Sequence, residues 1–209
     1  MAKLPVMGNV KTRLAREVGL VRATYFYRHV MGSVVARLSA SRRWQTLLAV
    51  APDTAVAGRS WPAGPVRIPQ GAGDLGTRMQ RLLVCQPPGP VIVVGTDIPA
   101  LEPRHIAQAF RLLGRHDVVL GPAADGGFHL VGYRRTRRAP RPFGGVRWSS
   151  AHTLADTLKN LRGTPVASAA ELDDVDDAGS LARVAATAGR RLLPRADENV
   201  SDERDSASD

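Results

Sequence analysis

The stretch Val91-Ile92-Val93-Val94-Gly95-Thr96-Asp97-Ile98-Pro99 decides how the rest of the chain is read. Its unbroken β-branched run predicts a strand buried on both faces, as in the middle of a parallel sheet. Asp97 then falls just past the strand's carboxyl end, the place where ligands bind in open α/β sheets. An ionised carboxylate there is costly to desolvate unless a cation or hydrogen-bond donors meet it. Asp97 therefore reads either as a metal or substrate ligand or as a turn cap ahead of Pro99.

Working outward, strand and helix patterns alternate without internal repeats, which predicts an α/β three-layer sandwich in a single domain over 1–194. Helices are expected over about 14–38, broken near Gly19, and over 74–85, 103–114, 149–161 and 178–188. Strands are expected over 44–51, 66–69, 91–95, 118–121, 128–133 and 166–168. Pro103 suits a first helical turn, and Ser149 or Ser150 suits a cap. The Arg-, Pro- and Gly-rich segment 134–148 reads as a solvated connection or as a lid over whatever Asp97 faces.

Composition bounds the class. The chain has 209 residues, 44% of them hydrophobic and 5% aromatic, which is ordinary for one globular domain with a sizeable core. No stretch approaches the roughly 18 to 20 apolar residues that cross a bilayer, and residues 1–13 lack the apolar core of a secretion signal, so a cytoplasmic location is expected. Cys85 is the sole cysteine, which excludes an internal disulfide, and its spacing from Leu82 and Leu83 predicts a small core residue. The net charge of +10 is uneven: residues 195–209 carry six acids and two arginines, leaving about +14 on the rest. A basic body suits a polyanionic partner, whereas the tail has too little apolar surface to order itself. Only Lys3, Lys11 and Lys159 accompany the arginines, and aromatic and basic residues are not interleaved, which argues against a nucleic-acid platform.

Four loops carry residues with chemical potential. Lys3 to Leu14 sets three cations and Gly8 ahead of a helix, where free backbone N–H groups and the helix dipole attract anions. Lys11 and Arg13 could neutralise a di- or triphosphate, although the Gly-Lys-Ser/Thr core of a Walker loop is missing. Gln70 to Met79 supplies a second glycine-rich turn into a helix, with Asp74 a candidate cap. In Gly121 to Gly132, Asp125 either forms the Asp-Gly-Gly turn or orients an acceptor hydroxyl, and His129 packs or faces the cleft. Leu172-Asp173-Asp174-Val175-Asp176-Asp177 reads as a solvated acidic helix start, or as a hard-oxygen pair for Mg²⁺ or Mn²⁺ if Asp174 and Asp176 point the same way.

The ordered set Ala-Lys-x-Pro-x-x-Gly-x-Val-Lys-Thr-Arg-Leu, Gln-Gly-x-Gly-Asp-Leu-Gly-x-Arg-Met, Gly-Thr-Asp-Ile-Pro-Ala-Leu, Gly-Pro-Ala-x-Asp-Gly-Gly-Phe, Phe-x-Gly-Val-x-Trp-Ser-Ser and Asp-Val-Asp spans about residues 2–190. It resembles small bacterial GT-A-type glycosyltransferases, some linked to arsenosugar synthesis, and is similar to the guanylyltransferases of deazaflavin-cofactor synthesis. The resemblance implies a nucleotide-diphospho-sugar transferase fold, with a mostly parallel twisted sheet and one antiparallel strand. It also implies that Lys3, Gly8, Lys11 and Arg13 cradle nucleotide phosphates and that Gly73, Asp74, Gly76 and Arg78 lie beside the base. Asp97, Asp174 and Asp176 would hold Mg²⁺ or Mn²⁺, and residues 125–128 would line the acceptor side. Asp97, Lys11 and Asp125 are thus the candidate catalytic residues. The partners implied are a nucleotide sugar or nucleoside triphosphate and an unidentified small acceptor, for glycosyl transfer or, alternatively, nucleotidyl transfer with release of pyrophosphate.

Two departures stand out. Ser180 replaces an acid that braces the last helix in relatives, so weaker bracing is expected. Relatives also begin with an apolar strand ahead of Ala-Lys-x-Pro, a boundary on which Met1 falls here, so a truncated first strand is expected. Burying an aliphatic side chain contributes about 1.5 to 3 kcal/mol, so three or four lost from a central strand would cost about 5 to 12 kcal/mol. Whole domains are stable by only about 5 to 15 kcal/mol. The expectation is that the natural start lies upstream or that this form folds poorly.

Overall fold

The computed structural model describes residues 1–135 and 139–188; the acidic tail and part of the 134–148 segment lie outside the described residues. In chain order the elements are β1 (Ala2–Lys3), α1 (Thr12–Val18), α2 (Leu20–Ser39), β2 (Leu47–Ala51), β3 (Val66–Pro69), α3 (Leu75–Val84), β4 (Val91–Val94), α4 (Pro103–Leu113), β5 (Val118–Pro122), β6 (Phe128–Tyr133), α5 (Thr153–Asn160), β7 (Val166–Ser168) and α6 (Ala178–Ala188). Gly19, at φ 90°, separates α1 from α2, a backbone angle that a residue with a Cβ adopts at a cost.

The strands form two sheets of order β1-β2-β3 and β4-β6-β5-β7. Every pairing is parallel except those of β6, which runs antiparallel to both β4 and β5. Period-2 alternation directs side chains to opposite faces. Val119 and Leu130 join a core built with α2 and α4, whereas Val118, Leu120, Val131 and Tyr133 pack with Met79 and Leu83 of α3. On α2, Phe26, Val30, Val34 and Leu38 at i, i+4 spacing face that first core. Its neighbouring stripe, Tyr27, Met31 and Val35, covers Leu48 and Val50 of β2. One helix thereby joins the two sheets.

The expected first strand is present only as a stub. Ala2 and Lys3 pair with Val50 and Ala51, and the Met1 nitrogen donates to the Val94 carbonyl at 2.6 Å. Farther from this stub β2 and β4 are not paired, and a cavity of about 690 Å³ lies between them, lined by Leu47, Ala49, Ile92, Val94, Trp44 and Phe110. This corrects the reading of β4 as buried on both faces: all of its residues are half-buried, because one edge looks into the slot. Cys85 is corrected too. Helix α3 ends at Val84, so Cys85 falls beyond the apolar stripe at the C-cap and is exposed. Helix α5 starts at Thr153, later than expected, after turns in which Ser150 Oγ donates to the Arg147 carbonyl at 2.8 Å.

An extension of about five Val, Ile or Leu residues directly before Met1 should enter this slot and raise the urea midpoint relative to residues 1–209 alone, the unfolding free energy rising by about 1.5 to 3 kcal/mol for each side chain buried. An unchanged midpoint would show that the slot accepts no strand.

Candidate functional site

The sheet's carboxyl ends converge on a cleft of about 760 Å³. Three backbone devices shape it. First, Tyr27 Oη donates to the Lys3 carbonyl (3.1 Å) and accepts from the Lys3 amide (2.8 Å), fixing the chain as it leaves β1. Second, Arg81 donates to the Gln70 and Ala72 carbonyls at 2.7 and 2.9 Å, and its guanidinium occupies the space that a Cβ at Gly71 would fill. This clamp gives the glycine-rich turn its shape. Third, the Gly126 carbonyl accepts from the Leu154 amide at 2.9 Å, and a Cβ at Gly126 would strike the Ala151 backbone. The turn after β5 and the loop before α5 are thereby locked together.

At the end of β4, Asp97 meets the acidic segment that precedes α6. Oxygens of Asp97, Asp174 and Asp176 lie within 4.8 Å of one another. Lys11 spans two of them: its Nζ is 2.7 Å from Asp97 Oδ2 and 2.7 Å from Asp176 Oδ1. The lysine side chain is 4% exposed, against 30% for Asp97 and 45% for Asp176, so the ammonium sits inside while the carboxylates keep an open side. Lys11 reaches this place from a left-handed backbone conformation, φ 47° and ψ 44°, at the N-cap of α1. That conformation is uncommon and strained for a residue with a side chain.

Electrostatics follow from this packing. Burial pushes the Asp97 pKa up, but the adjoining Lys11 ammonium outweighs it and holds the carboxyl below its usual range. Burial likewise opposes charge on Lys11, and Asp97 and Asp176 more than compensate, so its pKa is raised. Among the described residues Asp174 has no ion-pair partner, and the Lys11 charge offsets its surroundings only in part. Burial, then the charges of Asp176 and Asp97, push its carboxyl up to about 6.

Ser180 does the bracing that its substitution for an acid had put in doubt. Its Oγ accepts from the Asp176 and Asp177 amides, each at 3.0 Å, while the Asp177 carboxylate accepts from the Ser180 amide at 2.7 Å. This reciprocal cap holds the backbone of Asp176, and so its carboxylate, beside Lys11. A short hydroxyl suffices because the helix start lies close to it.

The sequence-nominated residues divide by position. Lys3, Lys11, Arg13, Arg78, Asp97, Asp125, Asp174 and Asp176 all line the cleft. Gly8, Gly73, Asp74 and Gly76 do not. Asp74 caps α3 by accepting from the Thr77 amide at 2.8 Å, and Gly76 is buried where a Cβ would strike Phe143 and Trp148. Lys3 Nζ donates to the Asn9 carbonyl at 3.2 Å, and Arg78 Nε to the Gly73 carbonyl at 2.8 Å. Asp125 accepts from the Gly127 amide at 2.8 Å, forming its turn at the cleft wall. His129 is buried, its Nε2 donating to the Ala170 carbonyl at 3.0 Å, and burial lowers its pKa. The absence of a side chain at Gly121 makes room for it.

Sequence reasoning missed Tyr27 and the placement of Lys11 on the carboxylates. An acidic cluster in need of a cation was the available signal for the last. Tyr27 lies on an apolar stripe that gives no hint of a hydroxyl's task.

Fold and cleft together define a protein of the nucleotide-diphospho-sugar transferase fold. A solved structure of a candidate nucleotide-diphospho-sugar transferase from Desulfovibrio desulfuricans G20 matches with a TM-score of 0.81 at 27% identity, over 97% of this chain and 87% of that one. The homologue of Mycobacterium tuberculosis Rv0371c from Mycobacterium sp. strain JC1 shares the fold, with a TM-score of 0.50 at 16% identity over 77% of this chain and 83% of that one. No curated protein matches. Residues 34–150, more than half of the chain, match the family described as uncharacterized proteins conserved in bacteria, DUF2064, and the chain belongs to that family. No helix among the described residues is long and apolar enough to cross a membrane.

Because the raised Asp174 pKa favours its protonated form in the fold, the native state loses stability as pH climbs from about 4 to about 6. In EDTA, Asp174→Asn should raise the melting temperature above pH 6 and leave it unchanged near pH 4. Equal curves for both proteins at pH 7.5 would show that the three carboxylates do not repel one another.

Proposed function

We propose that this protein is a metal-dependent glycosyltransferase of the cytoplasm, moving a sugar from a nucleotide-diphosphate donor to a small acceptor. One observation carries the reading: three carboxylates gather at the end of β4 in the same cleft that Arg13 and Arg78 line. The neighbour from Desulfovibrio supports a transferase of this donor class.

The donor set suits a hard divalent cation. Three carboxylates with oxygens within 4.8 Å of one another are the hard-oxygen donors such an ion takes, and they would draw closer around it. Asp97, Asp174 and Asp176 would hold Mg²⁺ or Mn²⁺, which when bound supplies neutralising charge to the departing diphosphate. Arg13 offers a planar fork to phosphate oxygens and Arg78 a second cation from the glycine-rich side. Asp125, which lines the cleft with Phe128 and Trp148, would orient an acceptor hydroxyl. Phe128 and Trp148 pack edge to face, 6.3 Å between centroids, and give that side an apolar surface.

A second reading is nucleotidyl transfer, in which a phosphorylated substrate attacks the α-phosphate of a nucleoside triphosphate. What favours it is the extra carboxylate pair Asp174 and Asp176 beyond Asp97.

Thermal-shift screening of nucleotides and nucleotide sugars with and without Mn²⁺ should find a donor whose stabilisation requires the metal, about 2.7 kcal/mol at a hundred times its Kd. With that donor, release of nucleoside diphosphate is expected; release of pyrophosphate would assign the second reading. Asp97→Ala should abolish metal-dependent turnover, and an unchanged rate would remove Asp97 from the site.

A further inference from the structure

The Lys11 ammonium stands among the carboxylates that form the only such acidic triad of the described residues. Two charge-assisted hydrogen bonds of 2.7 Å to Asp97 and Asp176 leave little room for a second cation between them. The arrangement is not that of a lysine extended toward phosphate. Its side chain is almost fully enclosed, and its backbone is in the left-handed region. We propose that Lys11 and a divalent cation are mutually exclusive occupants of the seat made by Asp97, Asp174 and Asp176, so that metal entry expels the ammonium into the cleft, where it pairs with a ligand phosphate.

The charge balance supports an exchange. The one ammonium bonds to Asp97 and Asp176, so among the described residues the third carboxylate of the triad, Asp174, is left without an ion-pair partner. A divalent ion would satisfy all three groups, whereas Lys11 satisfies two. The exchange would also couple two events: the carboxylates gain a metal and the phosphate site gains a cation only when both are needed. This inference rests on the metal reading above and adds that Lys11 opposes it in the resting state.

The test uses the full chain at constant pH. Mn²⁺ binding, read by calorimetry, should be about tenfold or more tighter in Lys11→Met than in the wild type. Independently of that variant, amine labelling of the wild type followed by mass spectrometry should find Lys11 protected without metal and labelled at saturating Mn²⁺. Lys3 and Lys159, the other lysines of the chain, serve as internal references. Equal Mn²⁺ affinities together with a Lys11 that stays protected at saturation would overturn the exchange and leave the metal reading standing. Failure of both proteins to bind Mn²⁺ would overturn the metal reading, and the exchange with it. If the variant does not fold, the wild-type labelling decides alone: protection at saturating Mn²⁺ contradicts the proposal.

Discussion

The site depends on one constraint: three carboxylates cannot be brought together in a half-buried cleft without positive charge among them. Lys11 supplies it, bonding at 2.7 Å to Asp97 and at 2.7 Å to Asp176, partners 86 and 165 positions away in sequence. Three separate segments are thereby tied at one point: the loop into α1, the end of β4 and the segment ahead of α6. Each is held from behind. Tyr27 fixes the strand that leads into the first, the β4–β6 pairing ends at the second, and Ser180 caps the third. Removing the cation from such a cluster leaves charges that neither water nor a partner fully stabilises.

The same region is where the sheet is least complete. Val91–Val94 has the composition of a central strand yet is bonded on one side only by β6, and on the other meets the Met1 stub and then the slot. The cleft is nevertheless formed, because its floor is built from strand ends and turns rather than from the strand centres. Gln70 contributes to this by donating to the Ala2 and Ala49 carbonyls at 2.9 and 3.0 Å, which joins the stub to β2 at the cleft side.

Much of the fold is legible in the residues. The β-branched run of β4 and the Pro103 start of α4 predict elements that the structure contains, since each follows from local composition or backbone restriction. Cys85 misleads because a one-residue difference in where α3 ends moves it from core to surface. The half-burial of β4 is also hidden, because a strand's own composition does not reveal what lies along its edge. At the site, Asp97, Asp174 and Asp176 could be nominated from their loops, but their convergence is a matter of topology. Lys11 is the least legible: as a lysine before a helix it reads as a phosphate ligand, and nothing in its loop reveals that its ammonium, from a left-handed backbone position, bonds to Asp97 and Asp176.

The most direct test of this account is a crystal of the protein grown with Mn²⁺ and a nucleoside diphosphate, examined by anomalous scattering. The account predicts a manganese peak bounded by Asp97, Asp174 and Asp176, with the diphosphate on its open side facing Arg13. A nucleotide bound with no manganese at those carboxylates, or manganese held elsewhere on the chain, would contradict it.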